Sequence, residues 1–410
     1  MAKTYGRKIK RSRNLYKKRK STGRKALETL AMAVLIGGLG LIGFAVGKPL
    51  IDFFTAERVA DSTLQWSPPE DEPVVSEDGG TAEGTTENEP AIVEPVIKND
   101  IKYGAVSAPA SVLSNSTSLA AYIQQVKADG YNAVVLEMKD GTGNLYYASG
   151  YEPLKNTEII KGTLTAAQIY GAFKDTGITP MARINTALDQ LGPKYIDGVS
   201  YFFADGSTRW ADNRIENGGK LWANPFLKGT RDYNSYLVGE LAEAGFTEII
   251  LANTLFPDFK PYDFSVLNTE YTNKNTRYAG LTGFIKECAV KKGQARLILE
   301  MSVRDVVENY SGFNGSAELL KGKKDLSDFA LLLVYSKGDF GDELKTGESS
   351  SVILPKDTDA LINMLYKQAE NQAGGLYIIP CLAASGLTDS EKAEILSAYD
   401  KLGYDGRVIR

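Results

Sequence analysis

Short, nearly unbroken apolar runs alternate with longer amphipathic stretches through most of this chain. The apolar runs are Lys102 to Ser107, Asn132 to Lys139, Thr179 to Asn185, Glu248 to Thr254, Arg296 to Ser302, Phe329 to Tyr335, Gly375 to Pro380 and Arg407 to Arg410. Runs of this length that do not alternate are expected of strands buried on both faces, as in parallel sheets covered by helices. Between them, helical spacing recurs around Leu119 to Asp129, Ala166 to Asp175, Tyr233 to Ala244, Tyr278 to Lys291, Ser316 to Lys321, Asp357 to Asn371 and Ser390 to Leu402. Eight strands alternating with helices predict an α/β fold, a (β/α)8 TIM-like barrel over residues 101–410. An open doubly wound sheet is the structural alternative, but it usually has fewer strands, and no glycine-rich phosphate turn is visible.

The first hundred residues follow other patterns. Thr29 to Gly47 is 19 residues without a charge, about the length of a membrane-spanning helix. It follows a segment, 1–25, with 12 Lys or Arg and no acid. Basic residues beside such a span stay on the cytoplasmic side, so 1–25 is expected to be cytoplasmic and 26–52 a single-pass transmembrane anchor. A cleaved signal peptide is the rival, with Ala45-Val46-Gly47 as its small residues, and Pro49 just beyond argues against it. Gly43-x-x-x-Gly47 could pack two anchors weakly together. Residues 53–100 are acidic and rich in Pro, Gly, Ser and Thr, without hydrophobic periodicity. They predict a disordered, self-repelling linker that lifts the barrel off the membrane.

Charge refines this picture. Beyond residue 25 the chain holds 35 Lys or Arg against 51 Asp or Glu, so the basic head is local and topology accounts for it without nucleic acid. The chain has no histidine, which excludes Ser-His-Asp and Cys-His catalysis and imidazole metal ligands. Two cysteines, Cys288 and Cys381, are expected as separate buried thiols.

The C-terminal strand ends of a barrel form its active face. The second strand ends in Glu137, Lys139 and Asp140; a period of two puts Glu137 and Lys139 on one side, paired with each other or facing the mouth. The fifth offers Glu300 and Ser302, the third Arg183 and Asn185, the fourth Asn253, the sixth Tyr335. Ala252 to Leu255 are expected to line the mouth without charge. A long insertion, Ile184 to Thr230, carries Tyr201, Trp210, Trp222 and Asn224-Pro225, and reads equally as a sugar-stacking wall or a satellite core.

In order, Val134 to Gly143, Ala182-Arg183-Ile184, Trp222-Ala223-Asn224-Pro225 with Tyr233, and Gly245-Phe246-Thr247-Glu248-Ile249 through Phe256-Pro257 resemble a family of bacterial glycoside hydrolase barrels of poorly defined activity. The resemblance covers nearly all of 101–410. In that family the strand-four segment looks like Phe-Asp-Tyr-Ile-Arg-Phe-Pro; here its acid falls on Ala252 and its arginine on Leu255. The strand-two acid falls on Glu137, and Lys139 and Asp140 match as they stand.

Glycosidases usually need two carboxylates about 5 to 10 Å apart. With Ala252-Asn253 after strand four and Pro380-Cys381 after strand seven, the resemblance leaves Glu137 and Glu300 as acid/base and nucleophile or base, with Asp140 tuning them. Lys139, Arg183, Trp222, Asn224, Asn253 and Tyr335 are expected to hold sugar. The expected function is a membrane-anchored, extracytoplasmic hydrolase of a cell-wall or surface polysaccharide. The alternatives are a lapsed barrel that binds glycan without cutting it, or a surface scaffold for a protein partner. The chemistry calls for no cofactor or metal, and Asp258 and Asp263 do not have the spacing of a calcium loop.

Overall fold

Eight short strands, most of them runs of Val, Ile, Leu and Ala buried on both faces, close on one another. The computed structural model describes residues 103–308, 319–320, 329–347, 350–404 and 406–410. The barrel strands are β1 (Gly104–Ala108), β2 (Ala133–Lys139), β3 (Thr179–Asn185), β4 (Glu248–Ala252), β5 (Arg296–Ser302), β6 (Ala330–Tyr335), β9 (Tyr377–Leu382) and β10 (Arg407–Ile409). All eight are parallel, and β10 closes the ring by pairing with both β9 and β1. A two-stranded antiparallel hairpin, β7 (Glu343–Gly347) and β8 (Ser350–Ile353), lies outside the ring.

Helices cover the outside: α1 (Ser116–Ala128), α2 (Ala166–Gly171), α3 (Lys228–Glu243), α4 (Lys274–Lys291), α5 (Val303–Val307), α6 (Thr358–Ala373) and α7 (Asp389–Leu402). Their starts are fixed by side-chain caps where the sequence supplies them. Asn115 caps α1 and Asp357 caps α6, while Thr165 with Gln168 and Thr388 with Glu391 form reciprocal capping boxes on α2 and α7. Behind α3, Gly245 turns the chain at a φ of 110°, where an added Cβ would lie 2.5 Å from the Tyr170 ring.

Two apolar layers result. The large one lies between strands and helices; the small one fills the barrel interior with Ala105, Val135, Met181, Ile250, Ile298, Leu332, Ile379, Cys381 and Val408. The lower end of the interior is closed by charge. Tyr103 donates to Glu248 at 2.5 Å, and Arg296 spans both Glu248 oxygens at 2.9 and 3.1 Å.

Strands three and five have the bounds their sequences predict. The seventh barrel strand differs: it runs on through Cys381 to Leu382, so Pro380 and Cys381 lie within the strand rather than beyond its end. The β7–β8 hairpin carries no strand signal in the sequence, since Leu344 is its one buried apolar residue among the described positions. Segments 1–25, 26–52 and 53–100, and most of the helix expected over 316–321, lie outside the described residues. Among the described residues no helix is long and apolar enough to cross a membrane.

Candidate functional site

The pleat that sends Val135, Met181, Ile298 and Val408 inward sends the residues two further on, Glu137, Arg183, Glu300 and Arg410, into the interior one layer higher, at the C-terminal mouth. There they form one ionic network. Arg183 donates from Nε to Glu300 Oε2 at 2.6 Å and from Nη2 to Glu300 Oε1 at 2.7 Å. Its Nη1 reaches both Glu137 oxygens, at 2.7 and 2.6 Å. Arg410, following β10, adds a bond to Glu300 Oε1 at 2.7 Å from the far side of the ring. On the other flank Asn185 Nδ2 donates to Glu137 Oε1 at 2.9 Å, and Asn253 donates its amide to Asn185 Oδ1. The chain Arg410, Glu300, Arg183, Glu137, Asn185, Asn253 thus spans the mouth.

The two glutamates differ in environment. Burial pushes the Glu137 carboxyl above its usual range despite Arg183 beside it, and the nearby Glu300 charge adds to this. For Glu300, burial acts upward too, but the hydrogen bonds and charge of Arg183, with Arg410, outweigh it and hold the carboxyl below its usual range. Arg183 is 5% exposed, Glu300 9% and Glu137 26%, so water reaches the Glu137 side most easily.

Asn253 reaches Asn185 because it takes a left-handed backbone conformation, φ 49°, directly after β4, which an Asn tolerates better than most residues. Its loop is tied to the one after β3: Thr186 N donates to the Ala252 carbonyl at 3.0 Å, and the Thr186 and Thr254 hydroxyls lie 3.0 Å apart. Ala252 and Thr254 are buried by this lacing, so of the expected uncharged rim only Asn253 and Leu255 keep partial exposure.

Four expected site residues serve elsewhere. Lys139 does not share a face with Glu137. The β2–β3 register shifts between them, so that Glu137 is opposite Arg183 but Lys139 is opposite Ile184, and the extra residue turns Lys139 toward the helix layer. There, wholly buried, it pairs with Asp189 at 2.7 Å, donates to the Asn185 carbonyl at 2.7 Å and lies 4.7 Å from the Tyr233 ring centre. Asp140 is committed to its own turn, accepting from the backbone N–H groups of Thr142, Gly143 and Asn144 at 2.9 Å each and from the Tyr146 hydroxyl at 2.7 Å. Burial works against its ionisation, but these bonds and that from the Asn144 side chain hold its carboxyl below the usual range. Tyr335 falls on the outward phase of β6, stacked on Phe340 with ring centres 5.7 Å apart. Asn224 is fully buried and caps the turn before α3 by accepting from Phe226 N at 3.0 Å.

The aromatic insertion divides between core and wall. Trp210 and Tyr201 are buried rings continuous with the strand–helix core, with the Trp210 indole N–H on buried Asp263 at 2.9 Å. Trp222 is half-buried, held by Asp212 at 3.0 Å, and walls a depression of about 460 Å³ with Leu255, Phe256, Asp258 and Lys260, beside the rim after β4. Asp189 and Arg410 had escaped sequence reasoning. Asp189 lies in an irregular loop, and a single arginine after a three-residue strand carries no periodic signal. Among the described residues no group of three or more His, Cys, Asp or Glu is placed to hold a metal ion.

The barrel has counterparts of known structure. It is similar to the PgaB (BpsB) glycoside hydrolase domain from Bordetella bronchiseptica, at 13% identity and a TM-score of 0.51, over 75% of this chain and 92% of that one. A hypothetical protein from Ruminiclostridium thermocellum matches at 18% identity and a TM-score of 0.41, over 51% of this chain and 98% of that one. A variant of the PelA glycoside hydrolase domain from Pseudomonas aeruginosa matches at 12% identity and a TM-score of 0.35, over 75% and 94%. At 13% identity the likeness to the Bordetella domain is one of fold alone. No curated protein matches the chain. A family model described as "Putative glycosyl hydrolase domain" matches residues 105–309, half of the chain, and spans β1 through α5 with Glu137, Arg183 and Glu300 inside it; the chain belongs to that glycosyl hydrolase family.

Proposed function

We propose that the barrel binds a polysaccharide at its mouth and does not cleave it by the two-carboxylate route. The observation that carries this reading is Arg183, whose guanidinium engages both mouth glutamates. A glycosidase acid and its partner flank the scissile bond. Here a cation occupies the gap that the bond would need, and β4 ends at Ala252 with Asn253, not an acid, directly after it. What remains is well suited to binding: Asn253, the exposed edge of Glu137, and the Trp222 ring over its depression, where an apolar ring face and polar edges suit a sugar. The 19-residue apolar stretch behind a basic head and the acidic linker support a single-pass anchor with the barrel extracytoplasmic, facing a cell-wall or surface polysaccharide.

Hydrolysis is the second reading, favoured by one observation: Glu137 is pushed up and Glu300 held down, the separation expected of a general acid and its ionised partner. Release of reducing ends from a panel of wall and capsule polysaccharides decides between them, with the full chain tested beside Glu137→Gln and Glu300→Gln. Retained polysaccharide with no turnover is expected. Turnover abolished in either variant would overturn the binding reading in favour of the hydrolase.

A further inference from the structure

The insertion that presents Trp222 also builds a second, larger depression of about 680 Å³. It is joined to the first through Asp212, Asn213 and Lys260, which line both. Its frame is fixed by hydrogen bonds, one of them buried. Trp210 clamps Asp263, whose other oxygen accepts from Lys260 N at 2.6 Å. Asp212 accepts from Lys220 N at 2.7 Å and from the Trp222 indole at 3.0 Å, and the Lys260 ammonium donates to its backbone carbonyl at 2.8 Å.

The consequence is a mismatch of charge. Both of these carboxylates are turned onto protein donors. Meanwhile the three cations on the wall, Arg209, Arg214 and Lys260, form no ion pair among the described residues. Arg209 makes one 3.5 Å bond to the Lys194 carbonyl and lies 5.9 Å from the Phe202 ring centre. Two carboxylates stay exposed, Glu216 on this wall and Asp258 on the Trp222 depression, against the three cations. Beside the cations Tyr262 stands 68% exposed, a ring open to solvent. A ring face next to unpaired guanidinium groups is complementary to a sugar ring that carries a negative group, since planar guanidinium binds carboxylate and phosphate through paired N–H donors.

The geometry points to an acidic-saccharide site on the insertion, running from Trp222 toward Tyr262, with Arg209, Arg214 and Lys260 taking the anionic group. It rests on the carbohydrate reading above and narrows it to chains bearing carboxylate or phosphate. The test measures affinity of the full chain for polygalacturonate, poly(glycerol phosphate) and neutral dextran, beside Arg209→Gln/Arg214→Gln and the same pair with Lys260→Gln. Arg209 and Arg214 are exposed and hold no part of the frame, so the double variant keeps the fold. At least one acidic polymer is expected to bind 10-fold or more tightly than dextran. That preference should weaken several-fold in the double variant, be lost in the triple one, and fall as NaCl rises from 50 to 500 mM, with dextran unchanged. Which acidic polymer binds identifies carboxylate or phosphate as the recognised group. Equal affinity for all three polymers, unchanged in the variants, would sink the acidic site and leave the carbohydrate reading standing; no binding to any polymer would overturn both.

Discussion

Arg183→Met keeps most of the side chain's length and removes the guanidinium that holds the mouth together. Four short bonds go with it, two to each glutamate. Removing one partner of a buried pair costs about 3–5 kcal/mol, because an uncompensated charge stays behind. One cation serves both acids here, so that figure applies once. Glu300 keeps Arg410, Glu137 keeps Asn185, and Glu137 is 26% exposed, which places the cost near the lower end, about 3 kcal/mol. At roughly 2–4 °C per kcal/mol for a large domain, the melting temperature should fall by on the order of 10 °C.

The pH dependence has a definite sign. A carboxylate whose folded pKa is depressed, as for Glu300, contributes stability above its unfolded value, near about 4.3, and loses it as pH falls through the folded pKa. Glu137, held up by burial, contributes with the opposite sign: it opposes folding at neutral pH and ceases to on acidification. Without Arg183 both folded values rise. The difference between wild type and variant should therefore be largest at pH 7 and shrink as pH drops through the carboxylate range. Urea midpoints at pH 7 and pH 4.5 measure it. A loss under about 1 kcal/mol at pH 7, or one equal at both pH values, would refute the reasoning.

Other perturbations probe neighbouring features. Asp189→Ala strands the buried Lys139 ammonium and should cost about 3–5 kcal/mol in urea unfolding, while Lys139→Met with Asp189→Leu should restore most of it. Gly143→Ala should cost more than about 1 kcal/mol by thermal melting, since φ is 100° and the new Cβ would lie 2.1 Å from Asp189 Oδ1. Trp222→Ala removes the stacking face and should weaken polysaccharide binding about 10-fold, read by affinity electrophoresis.

The barrel could be read from its sequence because parallel strands buried on both faces announce themselves as unbroken apolar runs. β3 and β5 have the ends their patterns predict. The site was legible wherever strict alternation held, and so Glu137, Arg183 and Glu300 meet at the mouth. It failed where alternation did: one extra residue in β2 carries Lys139 to the other face. On β6 the inward phase belongs to Val334, packed against the interior cluster, which leaves Tyr335 outside. The partners of Asp140 and Arg183 escape the pattern for another reason. Nothing in composition shows that a turn will saturate one carboxylate, or that a guanidinium aimed into the mouth will find two acids within reach rather than a ligand.

The two thiols turn the layering of the fold into a pair of built-in clocks. Cys381 lies inside the strand ring, where burial and then the Glu300 charge push it up to about 12; Cys288 sits on α4 in the outer layer, also fully buried and raised chiefly by burial. Neither presents thiolate to an alkylating reagent while the native packing holds. Modification of Cys381 therefore times the opening of the ring, and modification of Cys288 the lifting of α4. Following both on one native chain would show whether the helical coat loosens before the ring gives way.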